Sequence, residues 1–269
     1  MEKLTGVANT LYVPLYGRIY VSKKFPEYFY DEMALKIEEK FTSGISKGSF
    51  EYTNMAYGAR YYNMDKMIIK FIEEHKICNI VLLGIGLETA YDRITQKCGL
   101  GEVNYYGIDF PEVIEIRKKY FGERKQETLI AGDMFEMKWK DQIDTSIPTL
   151  LIVSGVFQYF FEDKIIEFIK NLKKEFPYGE LIFDTARKKS GLRFSNWYIR
   201  RTGNLEALMH FYIEDSVDFS KKTDTILVEE LIFFKDAREL LRKKLKFITK
   251  LFMKIADYKR QALIIHLKW

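Results

Sequence analysis

The chain has 269 residues, 47% of them hydrophobic and 16% aromatic, with 43 basic and 38 acidic residues for a net charge of +5. That length buries a full core and forces no split into two domains; the composition excludes disorder, and no apolar run approaches the ~20 residues of a membrane span. The charge is too mild to imply nucleic-acid binding by itself, and the N-terminus lacks the basic segment and apolar core of a secretory signal.

Cys78 and Cys98 have no metal-ligand spacing, and His75, His210 and His266 are scattered. The expectation is therefore a single cytoplasmic domain with free thiols, no metal and no membrane partner. Apolar residues recur at helical spacing from Pro26 to Phe41 and from Met64 to Glu74, so residues 1–75 read as a mostly helical N-terminal region. Within it Tyr12, Pro14, Tyr16, Gly17, Arg18, Ile19 and Tyr20 form an aromatic stretch without a clean period, which reads as a segment wrapping over the sheet or a ligand.

The run Ile80-Val81-Leu82-Leu83 suits a parallel strand covered on both faces. Gly84 and Gly86 follow, letting backbone approach a ligand where a Cβ would collide, and a helix opens near Glu88. Val103 to Asp109 reads as a second strand, ending in a carboxylate roughly 20 residues beyond the glycines, where a doubly wound sheet places a ribose-binding acid. A dinucleotide fingerprint wants a third glycine where this chain has Thr89, and Glu88 beside it would repel a pyrophosphate. S-adenosylmethionine has no phosphate and fits the turn better.

A helix from Pro111 to Tyr120, a strand from Glu127 to Ala131, a strand from Thr149 to Ser154, a helix from Glu162 to Glu175 and a strand from Glu180 to Asp184 continue the alternation. This rhythm predicts an α/β fold, a mostly parallel sheet with helices on both faces, the cofactor-binding core spanning residues 76–184. Residues 185–225 break it with a strandless stretch holding Arg187, Arg193, Arg200 and Arg201 among Trp197, Tyr198, His210 and Phe211. Such a stretch after a parallel strand is either a substrate cap or a surface insertion with its own small core, and it is read here as the cap. Residues 226–269 close the chain with a strand near Leu227 to Phe234, a helix from Asp236 to about Ile255 and a strand from Ala262 to Leu267. That helix carries Leu241, Leu245, Ile248, Phe252 and Ile255 on one stripe, expected to face the core, with lysines on a solvated face rather than on an RNA site.

Together these pieces resemble the leucine carboxyl methyltransferase family, which also includes bacterial polyketide-pathway O-methyltransferases. Leu83-Gly84-Ile85-Gly86-Leu87-Glu88-Thr89 with Arg93 resembles its first motif, Ile108-Asp109-Phe110-Pro111-Glu112-Val113-Ile114 its second, Ala131-Gly132-Asp133-Met134-Phe135 with Trp139 its third, and Ser154-Gly155-Val156-Phe157-Gln158-Tyr159 its fourth. Arg60 with Asp65 matches the helix before the first strand. The resemblance implies a class I, Rossmann-like methyltransferase of seven strands, the last antiparallel, using S-adenosylmethionine and releasing S-adenosylhomocysteine. It implies that Arg60 holds the cofactor's carboxylate, that Gly84 and Gly86 pass beneath its amino-acid portion, that Asp109, followed by Phe110, accepts the ribose hydroxyls, and that Asp133 and Met134 flank the adenine. The fourth motif usually begins with Glu; Ser154 stands there and removes a carboxylate.

Methyl transfer from a sulfonium is an in-line displacement that needs alignment and exclusion of water. Tyr159 is expected near the methyl group. A carboxylate acceptor needs no general base, whereas a hydroxyl would call on His210. The basic cap, with Arg187, Arg193 and Tyr198 as substrate-binding candidates, favours an anionic small molecule or peptide and carboxylate O-methylation. An RNA methyltransferase and a non-catalytic S-adenosylmethionine-binding protein are the alternatives.

Overall fold

The computed structural model describes residues 11–38, 50–99, 101–193, 196 and 207–269. Among these residues β1 (Ile77–Leu83), β2 (Glu102–Asp109), β3 (Glu127–Ala131), β4 (Thr149–Val153), β5 (Gly179–Ala186), β6 (Ile226–Ile232) and β7 (Ala262–Lys268) form one sheet in the order β3-β2-β1-β4-β5-β7-β6. The pairings from β3 through β5 are parallel, and β7 runs antiparallel to both β5 and β6. The α/β class I methyltransferase fold expected above is the fold observed.

The apolar run of β1 is continuous because both of its faces are covered. Ile80 and Leu82 join Met55, Ile68 and Phe71 of the long helix α3 (Glu51–Glu74), while Val81 and Leu83 join Phe168, Ile169 and Leu172 of α6 (Glu162–Glu175). Alternate residues of one strand thus feed two cores. Helices α4 (Ala90–Cys98) and α5 (Pro111–Phe121) complete the early crossovers, α5 opening on Pro111 where a missing N–H costs nothing.

The aperiodic aromatic stretch is a helix, α1 (Tyr12–Lys24), whose buried side chains include Arg18 and Ser22. It wraps over the sheet side and crosses α3 closely: a Cβ on Gly17 would lie 2.6 Å from the Tyr57 ring and one on Gly58 2.7 Å from Val21. Of the helix read from Pro26 to Phe41, the described part forms only α2 (Glu32–Ile37), capped by Asp31, which accepts from the Ala34 N–H. α3 begins at Glu51 rather than near Met64.

Residues 189–193 of the cap are helical, and α7 (Ser216–Thr223) packs Phe219 with Phe211 and Ile213 into the α6 side of the core. The expected last helix is two, α8 (Lys235–Leu240) and α9 (Phe247–Tyr258). Leu241 and Leu245 of its stripe are buried, but Ile248 and Ile255 face solvent, and Phe252 is half-exposed with one side packed edge-on against the Tyr52 ring. The inner side of α9 consists instead of Thr249, Met253 and Ala256, so the expected orientation of that helix is reversed.

Candidate active site

One cleft opens at the C-terminal ends of β1, β2 and β4, with a volume of about 1020 Å³ including its mouth. Gly84, Gly86, Asp109, Phe110, Asp133, Met134, Ser154 and Tyr159 all line it, so eight residues singled out from the sequence meet in one place. The glycines are needed for geometry: Gly84 and Gly86 have φ of +68° and +50°, and a Cβ on Gly84 would come within 2.6 Å of Val156.

Asp109 sits at the last position of β2. Its Oδ2 accepts from the Gly86 N–H and its Oδ1 from the Phe110 N–H, both at 2.8 Å, so the β1 turn and the α5 start are tied to one carboxylate. Burial pushes this carboxyl up to about 6 against the pull of those two backbone donors. Asp133 caps a short 3₁₀ turn by accepting from the Phe135 N–H, and the Met134 carbonyl is held by the Trp139 indole N–H at 2.8 Å. That bond gives Trp139 of the third motif its place.

Arg60 stands one layer behind the cleft wall. Its Nη1 donates to Asp184 Oδ2 at 3.1 Å, its guanidinium lies over the rings of Tyr57 and Tyr61, and a Cβ on Gly155 would meet Nη1 at 2.6 Å. Burial works against the Arg60 charge, but Asp184, Tyr61 and Tyr57 outweigh it and hold the guanidinium above its ordinary range. Asp184 also accepts from the Gly155 N–H through Oδ1 at 2.6 Å. Two buried polar atoms here, Arg60 Nε and Ser154 Oγ, make no hydrogen bond within the protein, which leaves donors for a ligand.

Behind the opposite wall lies a buried ionic cluster. Arg18 donates to Asp31 and to the Thr89 hydroxyl, both at 2.7 Å, and to the Leu87 carbonyl; Arg93 grips Asp65 with two bonds of 2.8 and 2.9 Å and pairs with Asp31 and Glu88. Burial raises the Asp31 and Glu88 carboxyls, and the two arginines more than offset it, so both are held below the ordinary carboxylate range. Arg18 and Glu88 line the cleft, and each has one buried atom, Nε and Oε2, without a partner. A cation and an anion facing one space suit the zwitterionic end of an amino-acid ligand.

His210 is docked by its backbone N–H on the Gln158 carbonyl at 2.7 Å, but its ring lies tilted against Phe161 and lines a second cleft with Tyr212, Asp215 and Phe219. Arg187 is paired with Glu230 at 3.1 Å, and Arg193 is exposed on the helical turn after β5. Tyr198 lies outside the described residues. None of His210, Arg187 and Arg193 is brought together with the glycines and Asp109. Pro14 and Arg18, read from the sequence only as part of a stretch wrapping over the sheet or a ligand, line the cleft, whereas Leu11 and Tyr61 of the cleft and Asp184 behind it were given no site role from sequence. Their signal is tertiary: α1 and α3 reach the site only because the sheet carries them there.

Residues 17–173 match the family model for leucine carboxyl methyltransferase. The chain belongs to the leucine carboxyl methyltransferase family. This methyltransferase is similar to the tetracenomycin polyketide synthesis O-methyltransferase TcmP of Streptomyces glaucescens, with 24% identity over 207 residues, 75% of this chain and 74% of the relative. It is 29% identical over 153 residues to leucine carboxyl methyltransferase 1 of Debaryomyces hansenii, 42% of this chain and 41% of that one. Among solved structures, a Streptomyces avermitilis protein of the DUF574 family superposes with a TM-score of 0.56 at 12% identity, covering 94% of this chain and 96% of that one. A Thermobifida fusca structure classed as a methyltransferase gives 0.57 at 13%, covering 98% and 94%. The enzyme is thus an S-adenosylmethionine-dependent methyltransferase in family and in fold.

Proposed function

We propose that the cleft binds S-adenosylmethionine and that the enzyme transfers its methyl group to an oxygen of a small-molecule or peptide acceptor, a carboxylate foremost. The observation that carries this is the Gly84, Gly86 and Asp109 constellation, a backbone cradle joined to a carboxylate by a hydrogen bond. When bound, the cofactor supplies an electrophilic methyl on a sulfonium. Each Asp109 oxygen retains acceptor capacity beyond its one backbone bond, so the ionised carboxylate takes both ribose hydroxyls. Asp133, Met134 and Phe110 form the adenine side. Arg18 and Glu88 face the amino-acid end, with Ser154 and Arg60 beyond them.

Tyr159 and its aromatic neighbours Phe135 and Phe160 wall the cleft against water, which matters because a displacement at a sulfonium is lost to hydrolysis if water enters. A carboxylate acceptor arrives ionised and asks for no base. The names of both relatives, one a carboxyl and one an O-methyltransferase, support an oxygen acceptor. Residues 185–225 are proposed as the substrate cap.

Calorimetric titration with S-adenosylmethionine and S-adenosylhomocysteine tests the site. Binding on the order of micromolar that vanishes in Asp109→Ala is expected; a folded protein that binds neither would end the proposal. Labelled methyl transferred to small carboxylic acids should then be released as methanol by mild base, whereas base-stable label would mean an ether and a hydroxyl acceptor.

A further inference from the structure

The sequence from Leu241 to Ala256 contains six basic and no acidic side chains, and it also contains Phe247, Ile248, Leu251, Phe252 and Ile255. In most surface helices such apolar residues turn inward. Here they turn out: Phe247 is 79% exposed and Ile248 58%, and Tyr258, 88% exposed, prolongs the same side of α9. The narrow inner side of Thr249, Met253 and Ala256 is enough to seat the helix against α3. Folding alone would be served by a polar outer face, so the outward apolar stripe calls for a partner.

The charges identify that partner. Lys250 and Lys254 are one turn apart along the edge of the stripe, and Lys243 and Lys246 lie just before it. Of these Lys243, Lys246 and Lys254 are exposed and make no ion pair among the described residues. An apolar face bordered by basic side chains is complementary to a surface that is anionic outside and hydrocarbon within. A nucleic acid would answer the lysines but not the phenylalanines. A two-fold contact with a second copy would answer the phenylalanines but bring the two basic edges together.

The geometry points to α9 as a peripheral docking helix for an anionic lipid bilayer, lying in the headgroup plane without crossing it. No helix among the described residues is long and apolar enough to span a membrane, which is consistent with attachment of this kind. The helix also hangs in the right place. β6 and β7 are an antiparallel pair, and the end that pairs Ile232 with Leu263 lies beside Ala186 at the C-terminal end of β5. α8 and α9 join the two strands at that end, so they leave from and return to the sheet edge that carries the cleft.

Flotation of the full chain with vesicles tests this. The protein should float with equimolar phosphatidylcholine and phosphatidylglycerol, stay behind with phosphatidylcholine alone, and detach as salt is raised. Phe247→Glu with Leu251→Glu should abolish flotation at an unchanged melting temperature, since both side chains are exposed. Lys243→Gln and Lys254→Gln should each weaken it about fivefold. Failure of the folded wild type to float with the anionic vesicles would overturn the proposal, as would flotation indifferent to all of these substitutions. A concentration-dependent dimer in sedimentation velocity that Phe247→Glu dissociates, without vesicle binding, would assign the face to a second copy instead.

Discussion

Asp184 joins Arg60 to the backbone of Gly155, one oxygen 3.1 Å from the guanidinium and the other 2.6 Å from the amide nitrogen. The fourth motif begins with Ser154 where the resemblance leads one to expect Glu, yet Arg60 is not left without a counter-charge. The carboxylate arrives from the neighbouring strand. Asp184→Ala should therefore strand a buried cation and lower stability by about 3–5 kcal/mol, read by denaturant unfolding. Ser154→Asp added to Asp184→Asn should recover part of the loss, because Ser154 is the next residue to Gly155. No recovery would mean that Asp184 acts on the loop rather than on the charge.

Asp109 should make cofactor binding depend on acidity. Its carboxyl is raised to about 6 from 3.8, so the folded chain without ligand holds this proton more tightly than the unfolded one. The contribution of this group to stability is therefore present at low pH and lost as pH rises through the window from about 4 to 6. Binding runs the other way, because the ionised form accepts the ribose hydroxyls. Affinity should fall roughly tenfold for each pH unit below about 6, and titrations of Asp109→Asn across the same range should be weaker and flat.

Gly84→Ala meets two obstacles, a φ of +68° and Val156 at 2.6 Å. The backbone alone costs about 1–2 kcal/mol. Melting temperature and affinity should fall together, whereas Gly132→Ala, with nothing within 4 Å of its added Cβ and no positive φ, should leave the melting temperature alone.

Arg93→Lys should behave as a severe change. Lysine keeps the charge but loses the paired bonds to Asp65 and the reach to Asp31 and Glu88. A loss of about 3 kcal/mol, or roughly 10 °C in melting temperature, is expected by calorimetry.

Much of the fold could be read in the residues, and the reasons are specific. β1 and β4 are buried on both faces, so they appear as unbroken apolar runs; Pro111 marks the start of α5; Asp109 is announced by the strand that ends on it. α1 was not legible as a helix because Gly17, Arg18 and Ser22 interrupt its apolar period, and they are buried for partners elsewhere in the chain. Asp184 and Arg60 are 124 residues apart, a separation no local pattern reports. The stripe on α9 was visible, but periodicity says that a helix has an apolar face and not which way it turns.

Arg18 finds its carboxylate, Asp31, only 13 residues along the chain, whereas the bond between Arg60 and Asp184 spans 124. During synthesis α3 emerges well before the group that neutralises Arg60. That arginine cannot be buried at that stage without an uncompensated charge, so α3 has to wait, unseated, until β5 has left the ribosome. The cleft is consequently one of the last parts of the molecule to assemble, and a chain interrupted before residue 184 should have most of its sheet but no finished cofactor site.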